Sequence, residues 1–141
     1  MIILDTNVVS ELIRTSPSEV VLRWTDRQPP QQLFISAVTE AELRVGVAIL
    51  PDGRRKQMIA ARVDEMLSRV FSGRTLAFDS AAAVHYANLI ATRRLAGRPL
   101  MQADAQIIAT AAAHRASVAT RNVRDFEGSG VAIIDPWSSL Q

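Results

Sequence analysis

Ile2, Ile3 and Leu4 run without a break into Asp5, Thr6 and Asn7 at the amino terminus, MIILDTN. A short continuous apolar run fits a strand buried on both faces of a parallel sheet. An acid directly after it falls in the crevice beyond the carboxyl ends of the strands, where open α/β sheets bind ligands. Thr6 or Asn7 can cap the helix that follows. The rest of the chain must then supply Asp5 with partners.

The same alternation recurs downstream. Thr6–Ile13 reads as a short helix. Ser16 as cap and Pro17 as first helical residue open a second, which runs through Trp24 and stops before Pro29-Pro30. Leu33–Ile35 is a second buried strand, and Ser36 caps a helix over Ala37–Leu50. Arg54–Phe71 reads as one long helix with an inner stripe of Ile59, Val63, Leu67 and Val70. Thr75–Phe78 is a strand, and Asp79 or Ser80 caps an Ala-rich helix ending near Gly97. Leu100–His114 is a helix, Ser117–Ala119 a strand, Arg121–Gly130 a loop and Val131–Ile134 the last strand. This order predicts an α/β fold with a parallel sheet, helices on both faces and right-handed crossovers. With 141 residues and no linker, the chain is expected to form a single domain over 1–141.

Composition removes several classes of chemistry. Without cysteine there are no disulfides and no thiolate metal sites. No apolar run is long enough to span a bilayer, and the amino terminus lacks the basic region of a signal peptide; a soluble cytoplasmic protein without membrane contact is expected. Formal net charge is +2 with a pI near 9.9. Of 16 basic residues, Lys56 is the only lysine. Arginine forks hold phosphate in a bidentate way, which favours a phosphate-bearing partner; a genome that encodes arginine cheaply leaves the same mark.

The informative acids are those with apolar neighbours. In the helix from Ala37, the residues Val38, Ala41, Val45 and Ile49 form a stripe on which Glu42 also falls, so Glu42 is expected to face inward while Glu40 and Arg44 point away. Asp104 sits among Met101, Ile107, Ile108 and Ala111 on the inner face of its helix; alone, it reads equally as an acid favoured by a helix N-terminus. Asp125, in TRNVRDF, follows a strand by a few residues and alone reads as a turn or cap. Thr120 and Asn122 beside it could orient an acid or a water. Four converging carboxylates would repel and raise one another's pKa, a state that only cations relieve. With no Cys, and neither His85 nor His114 placed beside them, an oxygen-ligated ion is expected, Mg²⁺ or Mn²⁺ rather than Zn²⁺.

Four ordered segments carry a family resemblance: the opening LDTN, SAVTEAELRVG, Gln102-Ala103-Asp104 with Ile107-Ile108-Ala109, and TRNVRDF. Together they resemble the PIN-domain ribonucleases, and among these the VapC toxins of bacterial toxin–antitoxin pairs with their FitB-like branch. The resemblance spans Met1 to about Trp137. It implies a Rossmann-like three-layer α/β/α sandwich and a Mg²⁺- or Mn²⁺-dependent endoribonuclease. Asp5, Glu42, Asp104 and Asp125 match its catalytic, metal-binding acids, and Thr120 and Asn122 match supporting polar positions of the last motif. It further implies a VapB/FitA-like antitoxin whose carboxyl-terminal tail covers the site, operator DNA bound only through that antitoxin, and a homodimer. A metal-activated water would then attack phosphorus in line and leave a 5′-phosphate.

Two rivals come from other classes. A haloacid-dehalogenase-like phosphatase also places an Asp after its first strand, but wants a second Asp two residues on, where Asn7 stands. A non-catalytic partner-binding module would bind no divalent ion and cut no RNA. Trp24 and Trp137 read as packing residues, and Arg54-Arg55-Lys56 as a solvated helix face. The Ala-rich stretches Ala81–Ala96 and Ala105–Ala116 are candidates for a homodimer surface.

Overall fold

A computed structural model describes residues 1–138. Five strands, β1 (Ile2–Leu4), β2 (Leu33–Ser36), β3 (Thr75–Leu76), β4 (Ser117–Ala119) and β5 (Ile133–Ile134), form one sheet in the order β3-β2-β1-β4-β5. All neighbours are parallel, with Ile3 opposite Phe34 on one side and Val118 on the other. The amino-terminal run is thus the central strand. Among the described residues seven α-helices surround it: α1 (Thr6–Ile13), α2 (Glu19–Asp26), α3 (Ala37–Ala48), α4 (Arg54–Glu65), α5 (Ser80–Leu95), α6 (Gln102–Ala113) and α7 (Val123–Phe126).

Successive strand residues point to opposite faces and so feed two cores. Leu4, Leu33, Ile35 and Ala119 pack with Val8, Val9, Trp24, Leu43 and Val63 from α1–α4. Ile3 and Val118 pack with Ile107, Ile108 and Ala111 of α6 and Phe126 of α7. The result is the three-layer sandwich. Each large side chain withdrawn fully from water contributes about 1.5–3 kcal/mol, and Ile3, Leu4, Ile107 and Phe126 are all buried. β1 has β2 on one side and β4 on the other, so the connections leaving β1 and β4 diverge and open a crevice at the carboxyl end of the sheet. Among the described residues no helix is long and apolar enough to cross a membrane.

Several boundaries differ from the sequence reading. The α1 cap is Asp5 itself, whose carboxylate accepts from the Thr6 amide. Helix α2 starts at Glu19 because the Ser18 hydroxyl, not Ser16, accepts from the Val21 amide. Helix α4 passes into a π-helical turn over Met66–Val70. That turn holds extra residue per revolution, so Phe71 goes inside at 2% exposure while Val70 stays at 37%. The 121–130 segment contains the one-turn helix α7. Met101 is exposed, since it is the extended residue before α6 rather than part of its face.

The largest correction concerns α3. Its buried residues are Thr39 and Leu43, with Val47 partly buried beside them, whereas Val45 and Ile49 are 57% and 77% exposed. The stripe through Val38, Ala41, Val45 and Ile49 is a flank, not the inner face. Thr39 joins the buried row because its hydroxyl is bonded within the protein, so counting it as polar hides the true row. Glu42 therefore lies exposed at the crevice rather than inside the apolar layer. Of the two Ala-rich helices, α6 is buried between α5 and the sheet; α5 alone keeps a free face, with Val84 and Leu95 exposed.

Candidate metal centre

Asp5 continues β1 by one bond, its amide donating to the Ala119 carbonyl at 2.9 Å. Its side chain is buried and held at both oxygens: Oδ1 accepts from the Thr6 amide at 2.8 Å and Oδ2 from the Thr120 hydroxyl at 2.7 Å. Thr120 Oγ1 also accepts from the Asn122 amide at 2.9 Å. Asn7 bridges the same two strand ends, donating to Thr120 and accepting from the Arg121 amide. The β1 and β4 ends are therefore laced into one rigid corner. Asn122 takes part through its backbone, whereas Thr120 takes part through its side chain.

Glu42 comes to this corner from α3. The Thr6 hydroxyl donates to Glu42 Oε1 at 2.6 Å and lies 3.0 Å from the Thr39 hydroxyl. Thr6 and Thr39 escape a reading that looks for charged groups; the one signal for them is a hydroxyl residue placed next to an acid and in a buried helical row. Asp104, in the first turn of α6, is half-buried, and Asp125 in α7 is exposed. Among the described residues neither carboxylate accepts a hydrogen bond, and none of the four acids is paired with a basic side chain.

The electrostatics tie the four together. Burial first, and then the charges of Asp5, Glu42 and Asp125, together raise Asp104 from 3.8 to about 6. Burial also pushes Asp5 upward and the Glu42 charge adds to this, against the hydrogen bonds from Thr120 and the Thr6 amide. The structure thus brings all four predicted acids to one crevice. They do not form a tight cage: among the described residues no three His, Cys, Asp or Glu side chains are spaced to hold an ion directly. An all-oxygen donor set at this looser spacing fits Mg²⁺ or Mn²⁺, which keep several waters and need only one or two protein carboxylates.

Beside the acids runs a groove of about 870 Å³ between α1, α3 and α4. It meets the crevice at Thr6 and Glu42, has Ile13, Leu43, Val47 and Ile59 in its lining, and carries Arg14, Arg54, Arg55 and Arg62. This groove is therefore adjacent to the acids and not centred on them.

Residues 2–128 match the family model described as the PIN domain. The chain belongs to the PIN-domain family. This PIN domain is 44% identical to the VapC ribonuclease Y4jK of Sinorhizobium fredii, over 97% of this chain and 98% of the relative. It is 40% identical to toxin FitB of Neisseria gonorrhoeae, over 97% and 99% of the two chains. A solved structure of FitAB bound to an IR36 DNA fragment superposes on it with a TM-score of 0.91 at 39% identity, covering 98% of this chain and 96% of the other. These likenesses give the phosphatase and the non-catalytic module no support.

Proposed function

We propose that this PIN domain, as a single unit over 1–141, is a Mg²⁺- or Mn²⁺-dependent endoribonuclease and the toxin of a cytoplasmic toxin–antitoxin pair. The observation that carries the reading is the crevice at the sheet's carboxyl end, where burial and the charges of Asp5, Glu42 and Asp125 raise Asp104 to about 6, and where, among the described residues, none of the four acids forms an ion pair. The ribonuclease and toxin names of similar proteins support it. Asp5, Glu42, Asp104 and Asp125 are the residues that would hold the ion, with Thr120 and Asn122 supporting them. A divalent ion there supplies an activated water for attack on a phosphodiester and stabilises the departing oxygen.

The chain's own residues set the geometry. The Thr120 hydroxyl and Thr6 amide fix both Asp5 oxygens while leaving each a free lone pair. The Thr6 hydroxyl fixes Glu42 Oε1 and leaves Oε2 open. Asp104, whose carboxylate accepts no hydrogen bond among the described residues, is the carboxyl that gains or loses a proton as the crevice empties or fills. No serine, cysteine or histidine nucleophile is needed.

The groove supports the antitoxin part of this reading. Its apolar floor and arginines offer a bed for an extended or helical segment, and its end at Thr6 and Glu42 places such a segment over the acids. The similar FitAB structure is bound to a DNA fragment, and another similar structure is described as a toxin–antitoxin complex; operator DNA would be reached here through the antitoxin. The exposed face of α5 is the homodimer candidate, and a monomeric mass in light scattering at micromolar concentration would remove it.

The direct test is cleavage of a mixed RNA pool with Mn²⁺, with EDTA, and with Asp5→Asn. Cleavage that needs the ion, leaves 5′-phosphates and disappears in Asp5→Asn is expected. A 2′,3′-cyclic phosphate product, or cleavage that survives EDTA, would overturn the assignment.

A further inference from the structure

Arg93 is the one buried basic side chain among the described residues, at 5% exposure. It stands in the last turn of α5, and no carboxylate lies within ion-pair distance of it among the described residues. Its Nη2 donates to two main-chain carbonyls, Asp125 O at 2.9 Å and Glu127 O at 2.8 Å. A guanidinium taken out of water without a counter-ion is costly, and an apolar residue would fill the same space more cheaply. The geometry accounts for its presence. Helix α7 is a single turn of four residues, with no side-chain cap at its start. Its terminal carbonyls lack helical partners, and a cation is the natural group to take them. Phe126, between the two bonded carbonyls, is buried in the core below, and Gly128 follows at φ +73°. The turn is thus anchored from beneath by Phe126 and from the side by Arg93, and what it presents outward is the Asp125 side chain.

We propose that Arg93 is a positioning residue, whose buried guanidinium clamps the α7 turn through the Asp125 and Glu127 carbonyls and so sets where the Asp125 carboxylate stands in the acid crevice. The inference rests on the nuclease reading above. Arg93 is bonded to the crevice through the α7 turn, and its charge also acts on Asp125. Sequence reading passes over it, because Arg93-Arg94 looks like the basic end of a solvated helix.

The test compares Arg93→Met, Arg93→Lys, Asp125→Asn and the Arg93→Met/Asp125→Asn double variant in the full chain. Displaced residues behind metal-binding groups typically cost about 10–100-fold in metal affinity or activity. Arg93→Met is expected to lose that much in kcat, with KM for RNA unchanged and faster amide exchange confined to residues 122–128. Arg93→Lys, which keeps the charge but not the fork, should fall between. On the Asp125→Asn background, Arg93→Met should cost nothing further. Wild-type exchange at 122–128 in Arg93→Met, or a full additional loss in the double variant, would overturn the proposal. If Arg93→Met does not fold, Arg93→Lys decides by the same exchange and double-variant comparison. If the wild-type protein cuts no RNA, the nuclease reading fails, and local exchange at 122–128 still decides whether Arg93 holds the turn.

Discussion

Asp5 and Glu42 each accept a threonine hydroxyl at 2.7 and 2.6 Å, whereas Asp104 and Asp125 accept no hydrogen bond on their carboxylates among the described residues. The first pair is oriented before any cation arrives, by a lattice of short bonds between two strand ends and α3. The second pair is placed by its backbone, through the first turn of α6 and the Arg93-held turn of α7. Of the acids, Asp104 is the one burial and its neighbours push to about 6; burial raises Asp5 too, but the hydrogen bonds from Thr120 and the Thr6 amide oppose that rise. If the site binds a cation as proposed, it has a rigid wall to fix direction and, at Asp104, a responsive wall that registers whether the positive charge is present.

That contrast orders the consequences of substitution. Asp5→Asn removes a charge from the rigid wall and should lower cleavage by about 10³-fold or more at saturating Mn²⁺, measured as initial rates on a defined RNA. Asp104→Asn should cost about 10²–10³-fold and also flatten the pH response. In the wild-type protein, ion affinity should rise as pH passes upward through about 6, because Asp104 must shed its proton first. Titration of Mn²⁺ at several pH values checks this, and an unchanged inflection in Asp104→Asn would place the titrating group elsewhere. Thr120→Val keeps volume but leaves Asp5 Oδ2 and the Asn122 amide without their partner, and should cost about 10-fold in cleavage and about 1–3 kcal/mol in stability.

The smallest expected effect is on stability. A carboxyl raised in the folded state binds its proton more tightly there than in the unfolded chain, so Asp104's contribution to the stability of the ion-free protein is complete below the ordinary value of 3.8 and is lost as pH rises through about 6. Asp104→Asn should therefore raise the thermal midpoint of the ion-free protein at pH 7.5 by about 1–3 °C, and Mn²⁺ should stabilise the wild-type protein more than the variant. If added Mn²⁺ stabilises both equally, the responsive wall does not include Asp104.

How much of this was legible in the sequence follows from which signals are local. β1, β2 and β4 could be read because each is a short apolar run followed by a cap or turn, and their two-sided burial needs no further information. Asp5, Asp104 and Asp125 could be placed because each follows a strand or opens a helix. The inner face of α3 could not, since Thr39 counts as polar until its hydroxyl partner Thr6, 33 residues away, is known. The π-helical turn that exchanges Val70 for Phe71 leaves no mark in apolar spacing. Arg93 was hidden for a similar reason: its role depends on carbonyls 32 and 34 residues away.

The question of one shared ion site comes down to where Mn²⁺ binds. Crystals grown with Mn²⁺ and measured at its absorption edge should show an anomalous peak in the crevice, ligated by Asp5 and within direct or one-water reach of Glu42, Asp104 and Asp125. Absence of a peak there, in crystals of protein that cuts RNA in the same Mn²⁺ solution, would contradict a shared site made by the four acids.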